Sequence, residues 1–481
     1  MRVLPFAIAC LLTFPVLVIP GVSSADVALT TIPAAAVKAA LELRDRASKD
    51  QTAYQVLESL TTEVGARLAG SPNDEKARNW AIAKFKALGY DKVWTEPVKY
   101  PRWVRRSEHA QMVAPFAHTL AITALGYSPA TPKGGLSTTI VAFDSFKSLQ
   151  AATAEMVKGK IVYVSERMHP ARDGHDYGTI GSPIRSRGPA IAAGLGAAAY
   201  VLRSAGTDND RLPHTGVTRW ADNGPRIPAA AVSNPDADLI DAALRRGAAV
   251  TLKLELDCGI SGEYTGANVI GEVTGSGQPE EFVIMGGHLD SWDLGTGAID
   301  DGAGVAIGMA TGQLIAKLPQ RPKRSIRVVA FANEEAGLYG GKAYAEAHGK
   351  DVAQHVLGSE SDFGGDRIWR LQASVKATAL PALDQIMQVL APLGVERGSG
   401  VGEGGPDLGP MHSVGMAALS LTQDGTRYFD IHHTANDTFD KIDPAQLAQN
   451  VAVYATWAYM AAQADGDFGS AADAFKGEAE E

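Results

Sequence analysis

His288, Asp290 and the adjacent pair Asp300-Asp301 fall within one glycine-rich stretch, GHLDSWDLGTGAIDDGAG, at residues 287–304. Imidazole nitrogen and carboxylate oxygen are both zinc donors, and glycines between them let the chain fold back so that distant groups face one ion. The stretch follows an apolar run, Phe282-Val283-Ile284-Met285, closed by Gly286 and Gly287, which is the pattern of a buried strand ending in tight backbone. Taken alone, such a histidine is more often a core or loop residue. Three downstream pieces carry the same donor types: Asn333-Glu334-Glu335, Glu360-Ser361-Asp362 and His432-His433. A glutamate pair opening a helix has its own ordinary use, compensation of the helix dipole. Placed together after strands or in loops, the four pieces point to a two-metal centre.

The elements that must position these donors alternate in type. After Gly259 the pattern predicts a strand at Phe282, a helix over 302–318, a strand over 326–332 and a helix over 335–348. A strand-like segment ending at 360–362 and helices over 379–393 and 444–462 follow. Strands alternating with such helices imply a largely parallel sheet covered on both faces, and ligands in such folds gather at the carboxyl ends of the strands. Upstream, an alanine-rich helical segment spans 26–48 and a second helix spans 53–64. Then comes GARLAGSPND, in which Ser71 can cap a helix, Pro72 fits its first turn and Gly89 closes it. The stretch YPRWVRR at 100–106 reads as an exposed edge or a pocket wall. Between residues 134 and 258 the texture changes to short strand-like runs at 139–143, 160–164, 198–202, 229–232 and 249–256, with helical patterns at 186–194 and 235–247. This segment holds no metal-type pair at useful spacing and reads as an inserted lid or recognition domain.

A chain of 481 residues allows about three domains. Its formal net charge of -10 argues against a nucleic-acid or anionic-membrane partner, because those require a dense basic face. Arg2, the apolar residues 4–19 and the small residues Ser23, Ser24 and Ala25 read as a secretory signal peptide cleaved beside Ala25. The expectation is therefore an exported protein, periplasmic or extracellular, without a stable membrane anchor after cleavage. With Cys10 removed, only Cys258 remains, so no intramolecular disulfide can form. The chain closes on an acidic tail.

GHLDSWDLGTGAIDDGAG, NEEAGLYGG, ESDFGG and IHHTANDTFD resemble the motifs of the co-catalytic zinc aminopeptidase and glutamate carboxypeptidase family of exopeptidases, and the likeness extends to GARLAGS, to PHTGV at 213–217 and to the inserted segment. The resemblance implies an α/β fold, a mostly parallel mixed sheet sandwiched by helices, with an inserted α+β protease-associated domain. The corresponding division is a signal peptide at 1–25, a catalytic domain at 26–133 and 259–468, the insertion at 134–258 and a tail at 469–481. It further implies two Zn2+ per chain, with Asp300 bridging, His288 and Asp362 on one ion, and Glu335 and His433 on the other. Glu334 becomes the general base, and Asp290 supports His288. Several relatives place a tyrosine before the ligand histidine, and others a second histidine; here His432 stands there and is assigned the oxyanion role. Asp301 is left as a structural carboxylate at the start of the next helix.

Elementary chemistry agrees with this division of labour, since a dinuclear centre acidifies a water and a non-ligating carboxylate must carry its proton to the leaving amine. Glu403 or Asp407, in the loop 400–410, is expected to meet a substrate's amino group, and Arg367, Lys376 or Arg427 its carboxylate. The resulting expectation is a dipeptidase acting on dipeptides or short peptides, in a possible homodimer. The alternatives are an aminopeptidase on longer peptides and a catalytically silent binding protein of the same fold.

Overall fold

The computed structural model describes residues 28–477. The signal-peptide reading at 1–25 and the last residues of the tail lie outside them. At the centre is a parallel group of strands: Ala418–Gln423, His355–Glu360, Gln278–His288 and Arg324–Phe331. Side chains of Gln278–His288 alternate between two cores. Val283 and Met285 join the large cluster formed with the helices Ala303–Ala316 and Pro444–Gln463, while Phe282 and Ile284 pack with Phe331, Tyr344 and Met411 on the other face. Burial on both faces is why this strand reads as a continuous apolar run. The helix Ala303–Ala316 is rich in alanine and glycine and lies close on the sheet, buried from Ala303 through Gly312. The expected mostly parallel mixed sheet between helices is thus what the chain forms.

The sheet does not stop at this central group. Thr251–Val273 pairs antiparallel with Arg324–Phe331 near its carboxyl end and with Leu136–Phe143 near its amino end. Lys92–Ala114 runs antiparallel beside it, with bulges at Pro101/Trp103, Arg105/Ser107 and Met112/Ala114. Beyond this ribbon a second parallel group, Leu136–Phe143, Ile161–Val164, Ala199–Arg203 and Ala229–Val232, continues the same 14-stranded sheet. Two further cores cover its faces, one with the helix Asn234–Arg245 and the other with the short helices at 182–194. Trp103, Ala110, Met112, Leu120, Ile122 and Ala124 belong to these cores, so residues upstream of 134 pack with the second group.

One predicted helix begins later than its pattern suggested. The helix after Arg324–Phe331 is Tyr339–His348, not 335–348, because Asn333 and Leu338 both adopt left-handed backbone at φ 53° and 59°. Glu334 and Glu335 therefore lie on an irregular turn, free to aim away from a helix axis.

Candidate metal centre

Each piece of the donor set leaves the carboxyl end of a central strand. His288 is the last residue of Gln278–His288, Glu334 and Glu335 follow Arg324–Phe331, Asp362 follows His355–Glu360, and His432 and His433 follow Ala418–Gln423 and a short helix, Tyr428–Ile431. Gly287 permits the first of these approaches, because a Cβ there would run into the Asp301 carboxylate and the Gly304–Val305 backbone.

Asp300 stands in the middle. Its Oδ1 is 3.0 Å from His288 Nε2, and its Oδ2 is 3.1 Å from His433 Nε2 and 3.4 Å from His432 Nε2. Asp362 Oδ1 lies 3.4 Å from His288 Nε2, and Glu335 Oε2 lies 3.0 Å from His433 Nε2. Both outer histidines have an acceptor at Nδ1: the Asp290 carbonyl at 3.0 Å from His288 and the Thr215 carbonyl at 3.1 Å from His433, nearer than the Arg185 guanidinium, whose Nη1 lies 3.4 Å from the same nitrogen. With Nδ1 protonated, each Nε2 turns a lone pair toward carboxylate oxygens. Lone pairs at that distance repel unless a cation or a second proton lies between them. Asp300 Oδ2, Glu335 Oε1 and Asp362 Oδ1 are moreover buried without a hydrogen-bond partner. Nitrogen and oxygen donors in two sets sharing one carboxylate suit divalent ions of the zinc type.

The electrostatics show the same demand for positive charge. Burial lowers the pKa of His288, yet Asp362, Asp290 and Asp300 outweigh it and hold the imidazole well above its ordinary value. Burial first, and then Asp362 and Glu335 against the pull of His288, push Glu334 well above the usual carboxylate range. His432 goes the other way: burial and the neighbouring His433 lower its pKa well below normal. Its ring stacks on His433 with centroids 3.5 Å apart and is boxed by Tyr177, Tyr428 and Phe429.

Around the donors are residues that hold them. Asp290 acts differently from expectation: its main-chain carbonyl orients His288, while its carboxylate, 3.6 Å from His288 Nδ1, accepts a hydrogen bond from the Glu334 amide at 3.1 Å. Asp301 spends its two oxygens on the amides of His288 and Gly304, at 3.1 and 2.9 Å, although they lie within reach of the His288 and Asp362 donors. Two residues escaped the sequence reading. Arg67 of GARLAGS is fully buried and donates to the carbonyls of Leu289, Thr296 and Gly297. Asp437 accepts from the amides of Ala298 and Ile299, both at 2.7 Å. Together they grip the loop between His288 and Asp300. The only sequence signal for either was membership of a quoted motif, because a residue that binds main chain leaves no side-chain pattern.

A cavity of about 320 Å³ opens over the donors. Asp300, Glu334, Glu335, Asp362, His432 and His433 line it, and so do Tyr177, Arg185 and Arg219 from the second half of the sheet. None of the residues expected to meet substrate termini lines it. Asp407 is wholly buried and accepts from the Gly341 amide, and Glu403 lies exposed on a neighbouring depression. Arg427 pairs with Asp366, Lys376 with Asp467, and Arg367 donates to the Leu393 carbonyl. Arg185, with little exposed surface, makes no salt bridge to any acid among the described residues and leaves its Nε without a partner. Local sequence hid this because the arginine lies far from every donor motif.

The sequence profile described as peptidase family M28 matches residues 268–458. Carboxypeptidase Q of Mus musculus is 34% identical over 428 residues, which covers 89% of each chain. The crystal structure of a peptidase M28 precursor from Shewanella amazonensis SB2B is 48% identical, with a TM-score of 0.88 over 90% of this chain and 98% of that one. An aminopeptidase from Aneurinibacillus sp. strain AM-1 shares the fold at 21% identity, with a TM-score of 0.63 over 90% of this chain and 98% of its own.

Proposed function

Because the chain belongs to peptidase family M28, we propose that it is an exported dinuclear zinc exopeptidase that hydrolyses dipeptides or short peptides. The observation that carries this reading is that His288 and His433 meet the two oxygens of Asp300, with Asp362 beside His288 and Glu335 beside His433, around a cavity that Glu334 also lines. His288 with Asp362 would hold one ion, Glu335 with His433 the other, and Asp300 both. Zinc at these positions supplies a Lewis acid for the scissile carbonyl and lowers the pKa of water toward about 7.

The remaining work falls to side chains of the chain itself. Glu334 takes the proton of the attacking water and returns it to the nitrogen as the C–N bond breaks. Asp290 holds the Glu334 amide and, through its carbonyl, His288, so base and metal ligand keep one spacing. His432, which lines the cavity, would donate a hydrogen bond to the developing oxyanion; a His432→Ala enzyme with unchanged kcat would remove it from that role. Arg185 and Arg219 enter from the insertion side and offer cations to a terminal carboxylate, which favours a substrate whose carboxyl end lies near the scissile bond. The insertion, read as a protease-associated domain, then measures substrate length.

An aminopeptidase acting on longer peptides has one observation in its favour: the depression that holds Glu403 meets the cavity at Leu338 and Pro406 and would let a chain continue. Rates against di-, tri- and tetrapeptides decide between the two. The dipeptidase reading expects a steep fall with length, and undiminished turnover of tetrapeptides replaces it with the aminopeptidase. The silent binding protein is disfavoured by the complete donor set with Glu334. Export, a homodimer and two ions per chain belong to the same proposal, and metal content measured with activity before and after chelation tests the ions.

A further inference from the structure

His288 and His433 are held in place by different parts of the molecule. His288 is braced within the catalytic layer: the Asp290 carbonyl holds its Nδ1, Asp301 holds its amide, and Arg67 holds the carbonyl of the next residue. No atom from beyond the ribbon takes part in these bonds. His433 stands instead in an irregular turn at φ 62°, and its polar anchors come from the insertion. The Thr215 carbonyl accepts from His433 Nδ1 at 3.1 Å, and the Thr215 amide donates to the His433 carbonyl at 3.0 Å. Thr215 is fully buried, and Gly216 after it has φ 136°, a backbone that aims the shared peptide and that a side chain would oppose.

Thr215 is tied in turn to the loop that carries the other ligands. Arg105, on the ribbon strand Lys92–Ala114, donates through its second terminal nitrogen to Thr215 Oγ1 at 3.1 Å. Its Nε reaches both oxygens of Asp293, at 3.0 and 3.1 Å, and Asp293 lies between His288 and Asp300. Its remaining nitrogen binds Glu108, Thr123 and the Ala124 carbonyl, and Thr215 Oγ1 donates to that same carbonyl at 2.9 Å. Trp292, next to Asp293, packs edge-on against His433 and Trp103, in a space that a side chain at Gly126 would fill. One guanidinium thus spans the metal loop, the ribbon and the peptide that orients His433.

We propose that Arg105 and Thr215 are positioning residues of the metal centre. They keep His433 in the Nδ1–H tautomer with Nε2 toward Glu335 and Asp300, so that affinity for the ion on that side depends on the docked insertion. The physical ground is general: an acceptor at the far nitrogen of a ligating histidine sets its tautomer and raises its basicity, and losing such a partner weakens metal binding about 10–100-fold. This inference rests on the two-ion reading above.

The test is zinc affinity of the full chain, measured by competition with a chromophoric chelator, together with cobalt absorption spectra. Arg105→Met is expected to weaken one ion about 10–100-fold and leave the other near wild type, and His433→Ala, made alongside it, is expected to weaken that same ion. Arg105→Lys, which keeps the charge but not the fork, is expected to recover part of the loss. Two ions at wild-type affinity in Arg105→Met, or equal weakening of both, overturns the proposal. If that variant does not fold, Thr215→Val, which removes only the Oγ1 link, decides: it is expected to weaken the same single ion, and unchanged affinity overturns the proposal. A wild-type chain that binds two ions yet cleaves no peptide sinks the function and leaves this inference standing, because its readout is metal affinity.

Discussion

The two halves of the sheet have the same design and opposite chemistry. In each, parallel strands send the loops at their carboxyl ends toward one cavity. The catalytic half delivers Glu334, Glu335, Asp362, His432 and His433 from such connections, while the other half delivers Tyr177, Arg185 and Arg219 from the connections after Ile161–Val164 and Ala199–Arg203. The strand-end rule thus operates twice across a continuous sheet. Acids and imidazoles on one side demand cations, and arginines on the other demand an anion. The substrate proposed above, a peptide with a free carboxylate, would satisfy both halves at once.

Perturbing each half separately tests this contrast. The largest effect belongs to Asp300, which the proposed function gives to both ions: Asp300→Ala is expected to lose both metals and all measurable peptidase activity, read by metal analysis and hydrolysis of a dipeptide. Retention of either ion at full affinity would show that the two sets do not share this carboxylate. Glu334→Gln should separate chemistry from binding, keeping the metals while kcat falls about 10²–10⁴-fold; an active variant refutes the base assignment.

On the opposite half, Arg185→Gln should raise KM for dipeptides. A hydrogen bond to a charged group is worth about 1.5–3 kcal/mol, or roughly 10–100-fold. The matching dipeptide amides, which have no carboxylate, should be nearly unaffected, and an equal loss on both substrates would deny Arg185 its anion.

The smallest effect is a control at the other edge of the same strands. Burial, and then the charge of Arg327, push His355 down to about 3, so it stays neutral in the fold. An unfolded histidine titrates near 6.5, so between these values the unfolded chain binds more protons and stability falls as the pH drops, by about 1.4 kcal/mol per unit below pH 6.5. Thermal melts between pH 7 and 5 should show this slope, and His355→Gln should flatten it. An unchanged slope would place the acid sensitivity in the cavity groups.

Much of the catalytic half was legible because its signals are local. Phe282 to Met285 is apolar on both faces, Glu334, Glu335 and Asp362 sit just after strands, and the helix 444–462 matches Pro444–Gln463 to within a residue. The ribbon was legible only in part. The strand expected at 249–256 falls on the start of Thr251–Val273, but both long strands change neighbours along their length and carry bulges, so neither shows one sustained alternation, and YPRWVRR, read as an exposed edge or a pocket wall, lines a surface depression and buries Arg105 as a hub. Arg67 and Asp437 were missed for a related reason: their partners are main-chain atoms more than a hundred residues away.

By itself the sequence determined which atoms are available for metal chemistry, the order in which strands present them and the α/β class that gathers them at one edge, since residue type and period are local properties. Tertiary structure alone decided which histidine nitrogen faces Asp300, which arginines reach the cavity and which half of the sheet holds His433. Those are relations between segments far apart in the chain. They arise only when the sheet closes over its cores and each buried donor must find an acceptor.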